Sequence, residues 1–380
     1  METTLPAVGA RATLDVSALT SLISLLKDRG YHVVGPTVRD GAVTCDIVER
    51  IEDLPAGWGD EQSSGRYRLK KRGDAALFGH NLGPQGWKRY LHPPELKMFE
   101  GSRDGEAFRI LGNPSPQAAK WAFLGVRPCE LAAIERLDRI FGGDRYVDPG
   151  YQARRRGAIV IAVNCTQAAG TCFCTSMGTG PRAQAGFDLA LTELASRGVL
   201  IAEVGSDAGA DLLGQLARRE PTPDEIAAAD AVTEETGRQI GRQLDTAGLK
   251  EALTESFEHP RWDDVAARCL SCANCTLVCP TCFCTTVEDS TDVAGRDAER
   301  LRKWDSCFTD SFSYIHGGSV RLSVKSRYRQ WLTHKLAYWV DQFGAFGCVG
   351  CGRCITWCPG KIDITEEVAA IRGTAVVSNG

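Results

Sequence analysis

The chain has 380 residues, with 44 Lys plus Arg against 48 Asp plus Glu and a formal net charge of -4, a near-balance that gives no electrostatic reason to expect nucleic acid or an acidic membrane surface as a partner. Its apolar runs, such as residues 158–163, are far too short to span a bilayer, and residues 1–17 show neither a basic region ahead of an apolar stretch nor a twin arginine. Sixteen cysteines in a chain that reads as soluble and cytoplasmic point to metal or redox sites rather than disulfides.

Residues 14–29 carry Leu19, Leu22, Ile23, Leu25 and Leu26 at helical spacing before Gly30, which suits a helix and its stop. Residues 31–38 and 42–48 alternate around Arg39, Asp40 and Gly41, as a β-hairpin does. Cys45, in the second of these strands, reads as a small buried residue. Residues 53–101 are rich in Gly, Pro and charge and read as surface loops. A strand at 119–124, a helix at 130–140 and a strand at 158–163 follow, the grammar of an α/β domain, with residues 189–194 and 199–204 completing its sheet. Residues 178–183 fit a relaxed GxGxxG/A, but Pro181 and the cysteines before it remove the strand-to-helix context that a dinucleotide site needs. No GxxxxGK phosphate loop is present. Thr222, Pro223 and Glu225 open a helix with a capping box, so residues 223–257 read as an acidic helical connector.

Beyond it, Cys269, Cys272, Cys275 and Cys279 precede Pro280, and the pattern returns as Cys348, Cys351, Cys354 and Cys358 before Pro359. This is the ferredoxin spacing, in which three thiolates of one run hold a [4Fe-4S] cluster whose fourth ligand comes from the other run. The first cluster therefore takes Cys269, Cys272, Cys275 and Cys358, and the second takes Cys348, Cys351, Cys354 and Cys279. Zinc also accepts paired cysteines, but it gives no reason for two such runs, each closed by proline.

The segment between Cys279 and Cys348 is far longer than a minimal loop. Tyr328, Trp331, Leu332, Leu336, Trp339 and Val340 recur there at helical spacing, so a helix packs beside the clusters. Arg321, Lys325, Arg327, Arg329, His334 and Lys335 on the same stretch are either a solvated face or cations that tune an anionic cluster. Cys282, Cys284 and Cys307 are buried thiols near the clusters or ligands of a further centre. If the strands at 119–124 and 158–163 are parallel neighbours, Cys129 and Cys165 emerge at one carboxyl edge and Cys172 and Cys174 return on the next loop. Four thiols match a third [4Fe-4S] cluster; the alternatives are unligated thiols or a set that borrows Cys282, Cys284 or Cys307.

The fold class that results is α+β: an N-terminal α/β domain (1–220), a helical connector (221–259) and a mainly helical two-cluster ferredoxin domain (260–380). The runs CLSCANCTLVCPTCFCTTVE from Cys269, WDSCF from Trp304, CVGCGRCITWCP from Cys348, GVRPCE from Gly125, VNC from Val163 and TCFCTSMGTGP from Thr171 resemble the iron-sulfur β subunit of cytoplasmic NAD(P)-linked [NiFe] hydrogenases, the sulfhydrogenases, and are similar to the electron-transfer subunit of anaerobic sulfite reductase. That resemblance implies a non-catalytic electron-transfer subunit between the small and large subunits of a [NiFe] hydrogenase core and a flavin- and NAD(P)-binding diaphorase subunit. The sequence agrees in having no nucleotide loop, no RxCxxC pair to hold nickel and iron, and no recognisable flavin site.

Overall fold

The structure is a computed structural model that describes residues 5–105, 107–111, 119–143 and 146–373; the outer ends of the first and last expected domains, 1–4 and 374–380, lie outside them. A seven-stranded mixed sheet organises the N-terminal half. Its centre is parallel: His32–Arg39, Trp121–Val126, Ile159–Val163 and Leu189–Leu194 lie side by side in that order. Val199–Val204 and then Arg11–Asp15 extend one edge antiparallel, and Ala42–Ile47 closes the other as the expected hairpin. Every residue of Ile159–Val163 is buried, as a parallel strand covered on both faces should be.

Helix Ala18–Asp28 covers one face with Leu19, Leu22, Ile23 and Leu26, and Gly30 follows it at φ +80°. Fully burying each of these side chains stabilises the layer by roughly 1.5–3 kcal/mol. Helix Pro128–Phe141 covers the other face, together with Trp87 and Tyr151. It starts directly after the strand Trp121–Val126, so Cys129 stands at a strand's carboxyl end and in a helix's first turn.

The expected connector is two helices, Pro223–Arg238 and Leu249–Glu255. The Thr222 hydroxyl accepts from the Glu225 N–H, and the Glu225 carboxylate accepts from the Thr222 N–H, which completes the capping box. The ferredoxin half has its own core, built on Trp262, Tyr328, Trp331, Leu332 and Leu336. Its long helix runs as Val324–Thr333, a π-helical turn His334–Tyr338, and Trp339–Phe343.

One expectation is corrected. Residues 53–101 are not all loop: Trp58–Ser63 pairs with Arg66–Lys71, and Glu95–Asp104 is a long strand. The segment between the cysteine runs carries, besides its long helix, a hairpin of Thr285–Thr291 and Asp297–Trp304. That hairpin pairs with Glu95–Asp104, which also pairs with Ala107–Ile110, in a four-stranded antiparallel sheet joining the two halves of the chain. No helix among the described residues is long and apolar enough to cross a membrane.

Candidate metal centres

The two ferredoxin runs repeat one backbone device. Ser271 and Ala273 flank Cys272 at φ 49° and 64°, and Gly350 and Gly352 flank Cys351 at φ 65° and 72°. Each run then enters a one-turn helix, Asn274–Leu277 or Arg353–Thr356. Left-handed residues on both sides of the middle cysteine curl the chain, which wraps the three cysteines of each run around one tight turn. The first thiol of each run accepts an N–H from two residues on, Ser271 to Cys269 and Gly350 to Cys348 at 3.4 Å. The Ile362 N–H donates to Cys358 Sγ at 3.3 Å. Burial raises the Cys269 and Cys348 thiols, and the N–H bonds from Ser271 and Gly350 offset part of that rise.

Cys269, Cys272, Cys275 and Cys358 line one cavity, with Cys354, Phe308, Tyr328 and Trp331 in its wall. Burial raises the Cys275 thiol well above its ordinary pKa, and Cys269, Cys358 and Cys272 raise it further by repulsion. The cysteine of the distant second run is thus a neighbour of the first three. Tyr328 OH and Trp331 Nε1 are buried donors with no hydrogen-bond partner in the protein, and a sulfur-rich anionic group would satisfy them. Around Cys354, whose thiol burial also raises, stand Cys348, Cys351 and Cys279. The cysteines of each crossed set are therefore neighbours, and their chemistry suits [4Fe-4S] clusters, although among the described residues no three such side chains stand close enough together to hold a metal ion.

The N-terminal cysteines meet as well. Cys129, Cys165, Cys172 and Cys174 line one pocket at the carboxyl edge of the parallel strands, with Asn81, Arg127, Arg353 and Cys351. Burial, with Cys165 adding repulsion, pushes the Cys172 thiol up to about 12. Arg127 hydrogen-bonds the Cys165 thiol and partly offsets its burial, while Arg127 Nε and Asn81 Nδ2 are buried without partners. A cation, an unused amide and a helix N-terminus suit an anionic cluster.

Cys351 belongs to the second ferredoxin run and still reaches this pocket, a meeting that cysteine spacing does not reveal. The reason is close backbone packing: the Phe173 N–H donates to Gly350 O at 2.9 Å, a Cβ on Gly350 would stand 2.6 Å from Phe173 O, and one on Gly352 would overlap Thr171 O. The first run carries Ser and Ala at the matching positions.

Of the six basic side chains on and just before the long helix, Lys335 reaches sulfur. Its buried ammonium donates to Cys279 Sγ at 3.2 Å, Thr281 Oγ1 at 3.3 Å and Cys282 Sγ at 3.6 Å. Burial works against this charge, but Cys279, Cys282 and Cys348 outweigh it and hold the lysine protonated well above its usual range. Lys325 pairs with Asp263, Arg327 with Asp310, Arg321 with Gln330, and Arg329 lies over Phe257. His334, desolvated and repelled by Lys335, is lowered to about 4.

Residues 268–362 match the family described as 4Fe-4S dicluster domain. The chain is also 32% identical, over 333 residues, to sulfhydrogenase 2 subunit beta of Pyrococcus furiosus, an alignment covering 86% of this chain and 95% of that one. The chain belongs to the sulfhydrogenase β-subunit family. No solved structure matches it. As a member of that family it is an iron-sulfur electron-transfer chain, and the dicluster match fixes the cluster type as [4Fe-4S].

Proposed function

We propose that this chain passes electrons, in the cytoplasm, between the small and large subunits of a [NiFe] hydrogenase and a flavin- and NAD(P)-binding diaphorase subunit. In this reading Cys269, Cys272, Cys275 and Cys358 hold one cluster, Cys348, Cys351, Cys354 and Cys279 a second, and Cys129, Cys165, Cys172 and Cys174 a third. Each [4Fe-4S] cluster, when bound, takes up and gives back one electron. The observation that carries the reading is the continuity of the three cysteine sets: Cys351 lines the N-terminal pocket and Cys354 lines the cavity of the first run.

The protein supplies position and insulation. Phe308, Tyr328 and Trp331 wall the first-run cavity with apolar surface, while Cys272 and Leu270 stand exposed on its rim, a place where a partner chain can approach. The Glu130–Arg353 ion pair and the contacts at Gly350 and Gly352 hold the N-terminal pocket against the second run. The domain limits at residues 220 and 260 are part of the same proposal. The anaerobic sulfite reductase reading shares the cluster chemistry, but the 32% identity over most of the chain is to a sulfhydrogenase subunit.

The test uses the full chain purified under anaerobic conditions. It should bleach reversibly with a strong artificial donor and neither evolve hydrogen nor oxidise NADPH by itself. NADPH oxidation by the chain alone, free of any diaphorase, overturns the proposal. The crossed ligation is tested by Cys358→Ser, which should disturb the cluster of Cys269, Cys272 and Cys275; disturbance confined to that of Cys348, Cys351 and Cys354 rejects it.

A further inference from the structure

Residues 84–94 and residues 277–280 face each other across a cavity of about 140 Å³. A single water needs only about 10–15 Å³ of such space, so there is room for a small ligand. Lys88, Arg89 and Arg353 line the cavity together with Trp304 and Cys279, and among the described residues no Asp or Glu does.

The three cations are not equally engaged. Arg89 is spent: it donates to Gln85 Oε1 and Cys45 O and pairs with Asp46. Lys88 is 8% exposed; its ammonium donates to Cys282 O at 3.1 Å and stands 3.8 Å from the Trp304 ring centroid. Among the described residues neither a carboxylate nor a sulfur accepts a hydrogen bond from it. An ammonium has three N–H donors, and a buried one without a counter-charge is costly.

Arg353 gives Nη2 to Glu130, whose carboxylate also accepts from Trp87 Nε1 and does not line the cavity. Its Nη1 is left uncovered by a glycine. A Cβ on Gly86 would stand 2.9 Å from Arg353 Nη1 and 2.8 Å from Glu130 Oε1, so the missing side chain keeps this edge of the guanidinium open at the cavity wall.

We propose that this cavity binds a phosphate-type oxyanion, free or as the end group of a nucleotide, between the Lys88 ammonium and the Arg353 guanidinium. Two separate cationic donor groups suit a compact anion with several acceptor oxygens, and the hydrogen bonds so formed are charge-assisted. The anion supplies the counter-charge that Lys88 lacks. It also adds negative charge beside Cys279, which disfavours the more negative, reduced state of a cluster, so occupancy lowers the reduction potential of the centre served by Cys279. That consequence rests on the reading of Cys279 as a cluster ligand; the binding itself does not.

The experiment is anaerobic titration calorimetry of the full chain at constant ionic strength, with inorganic phosphate and with AMP, on the native protein, Lys88→Met, Gly86→Ala and Lys97→Met. The native chain should bind phosphate saturably. Lys88→Met removes the unbalanced cation, and Gly86→Ala keeps both cations but fills the space beside Arg353; each should weaken binding about tenfold or more. Lys97→Met, which removes a surface lysine paired with Glu100 and Glu299, should bind as the native chain does. Tighter binding of AMP than of phosphate identifies the anion as a nucleotide end group, and equal or weaker binding identifies the free ion. Iron content and circular dichroism show which variants are folded, and Gly86→Ala carries the comparison if Lys88→Met is not. Absence of saturable binding of both ligands by the native chain overturns the proposal, as does binding that folded Lys88→Met or Gly86→Ala leaves unchanged. A potential that phosphate does not move, with binding intact, counts against the role of Cys279 and leaves the site standing.

Discussion

Arg353, which lies between Cys351 and Cys354, donates to the carboxylate of Glu130, the neighbour of Cys129, at 2.5 Å, with both side chains buried. The same carboxylate accepts from Trp87 Nε1 at 2.6 Å. One ion pair therefore ties the helix after a parallel strand to the turn of the second ferredoxin run. Burial works against the guanidinium, and the Glu130 charge outweighs it, holding Arg353 protonated above its usual range.

Removing one partner leaves a buried charge alone, so Glu130→Gln and Arg353→Gln should each cost about 3–5 kcal/mol of stability. Anaerobic denaturant unfolding measures this. The double replacement Glu130→Gln/Arg353→Gln should recover part of the loss. A cost under about 1 kcal/mol for both single variants would mean that the pair does not join the halves.

Gly352→Ala drives a methyl group into Thr171 O, against main chain that cannot rotate away, and adds the strain of φ 72°. The N-terminal pocket should open, and its cluster should be lost while the cluster of Cys269, Cys272, Cys275 and Cys358 stays. Ala273→Gly, at the matching position of the first run, should be tolerated. Iron content and EPR of the two variants separate these outcomes.

Lys335→Met removes a buried cation 3.2 Å from Cys279 Sγ. A nearby positive charge favours the more negative, reduced state of a cluster. The reduction potential of the centre served by Cys279 should therefore fall, by at least about 59 mV if the equilibrium shifts tenfold. Arg329→Met, on the solvent side of the same helix, should leave every potential unchanged. Potentiometric EPR titration reads both.

His92 is fully buried between Phe141 and Trp304, and burial, with Arg302 and Lys88 nearby, lowers it from 6.5 to about 3. Its folded pKa lies below the unfolded one, so the unfolded chain takes up the proton first and stability falls as pH drops through 6.5 toward 3. Relative to His92→Phe, the native protein should lose on the order of 1–2 kcal/mol between about pH 7 and pH 5. A stability difference that stays constant over that range contradicts the assignment.

Of the parallel strands at the centre of the N-terminal sheet, Ile159–Val163 was the most legible, because it is buried on both faces and reads as an unbroken apolar run. Their order then placed Cys129 and Cys165 at one edge. The second sheet was not legible, since Glu95–Asp104 and Asp297–Trp304 are charged strands whose pairing partners lie far apart in the chain. Cross-strand ion pairs such as Lys97–Glu299 and Arg300–Asp289 explain those charges once the register is known. Nor could spacing single out Lys335 among six cations, because that selection depends on where its helix lies against Cys279 and Cys282. Cys351 joins the N-terminal pocket only because glycine at positions 350 and 352 admits main chain to main chain.

The most direct measurement is the iron content and low-temperature EPR of the anaerobically purified chain together with Cys129→Ser. Three clusters in contact predict at least about twelve irons per chain and, on full reduction, a spectrum broadened by coupling between centres; Cys129→Ser should lose about four of those irons and sharpen the spectrum. A native chain holding about eight irons or fewer, with a spectrum that Cys129→Ser leaves unaltered, contradicts the account.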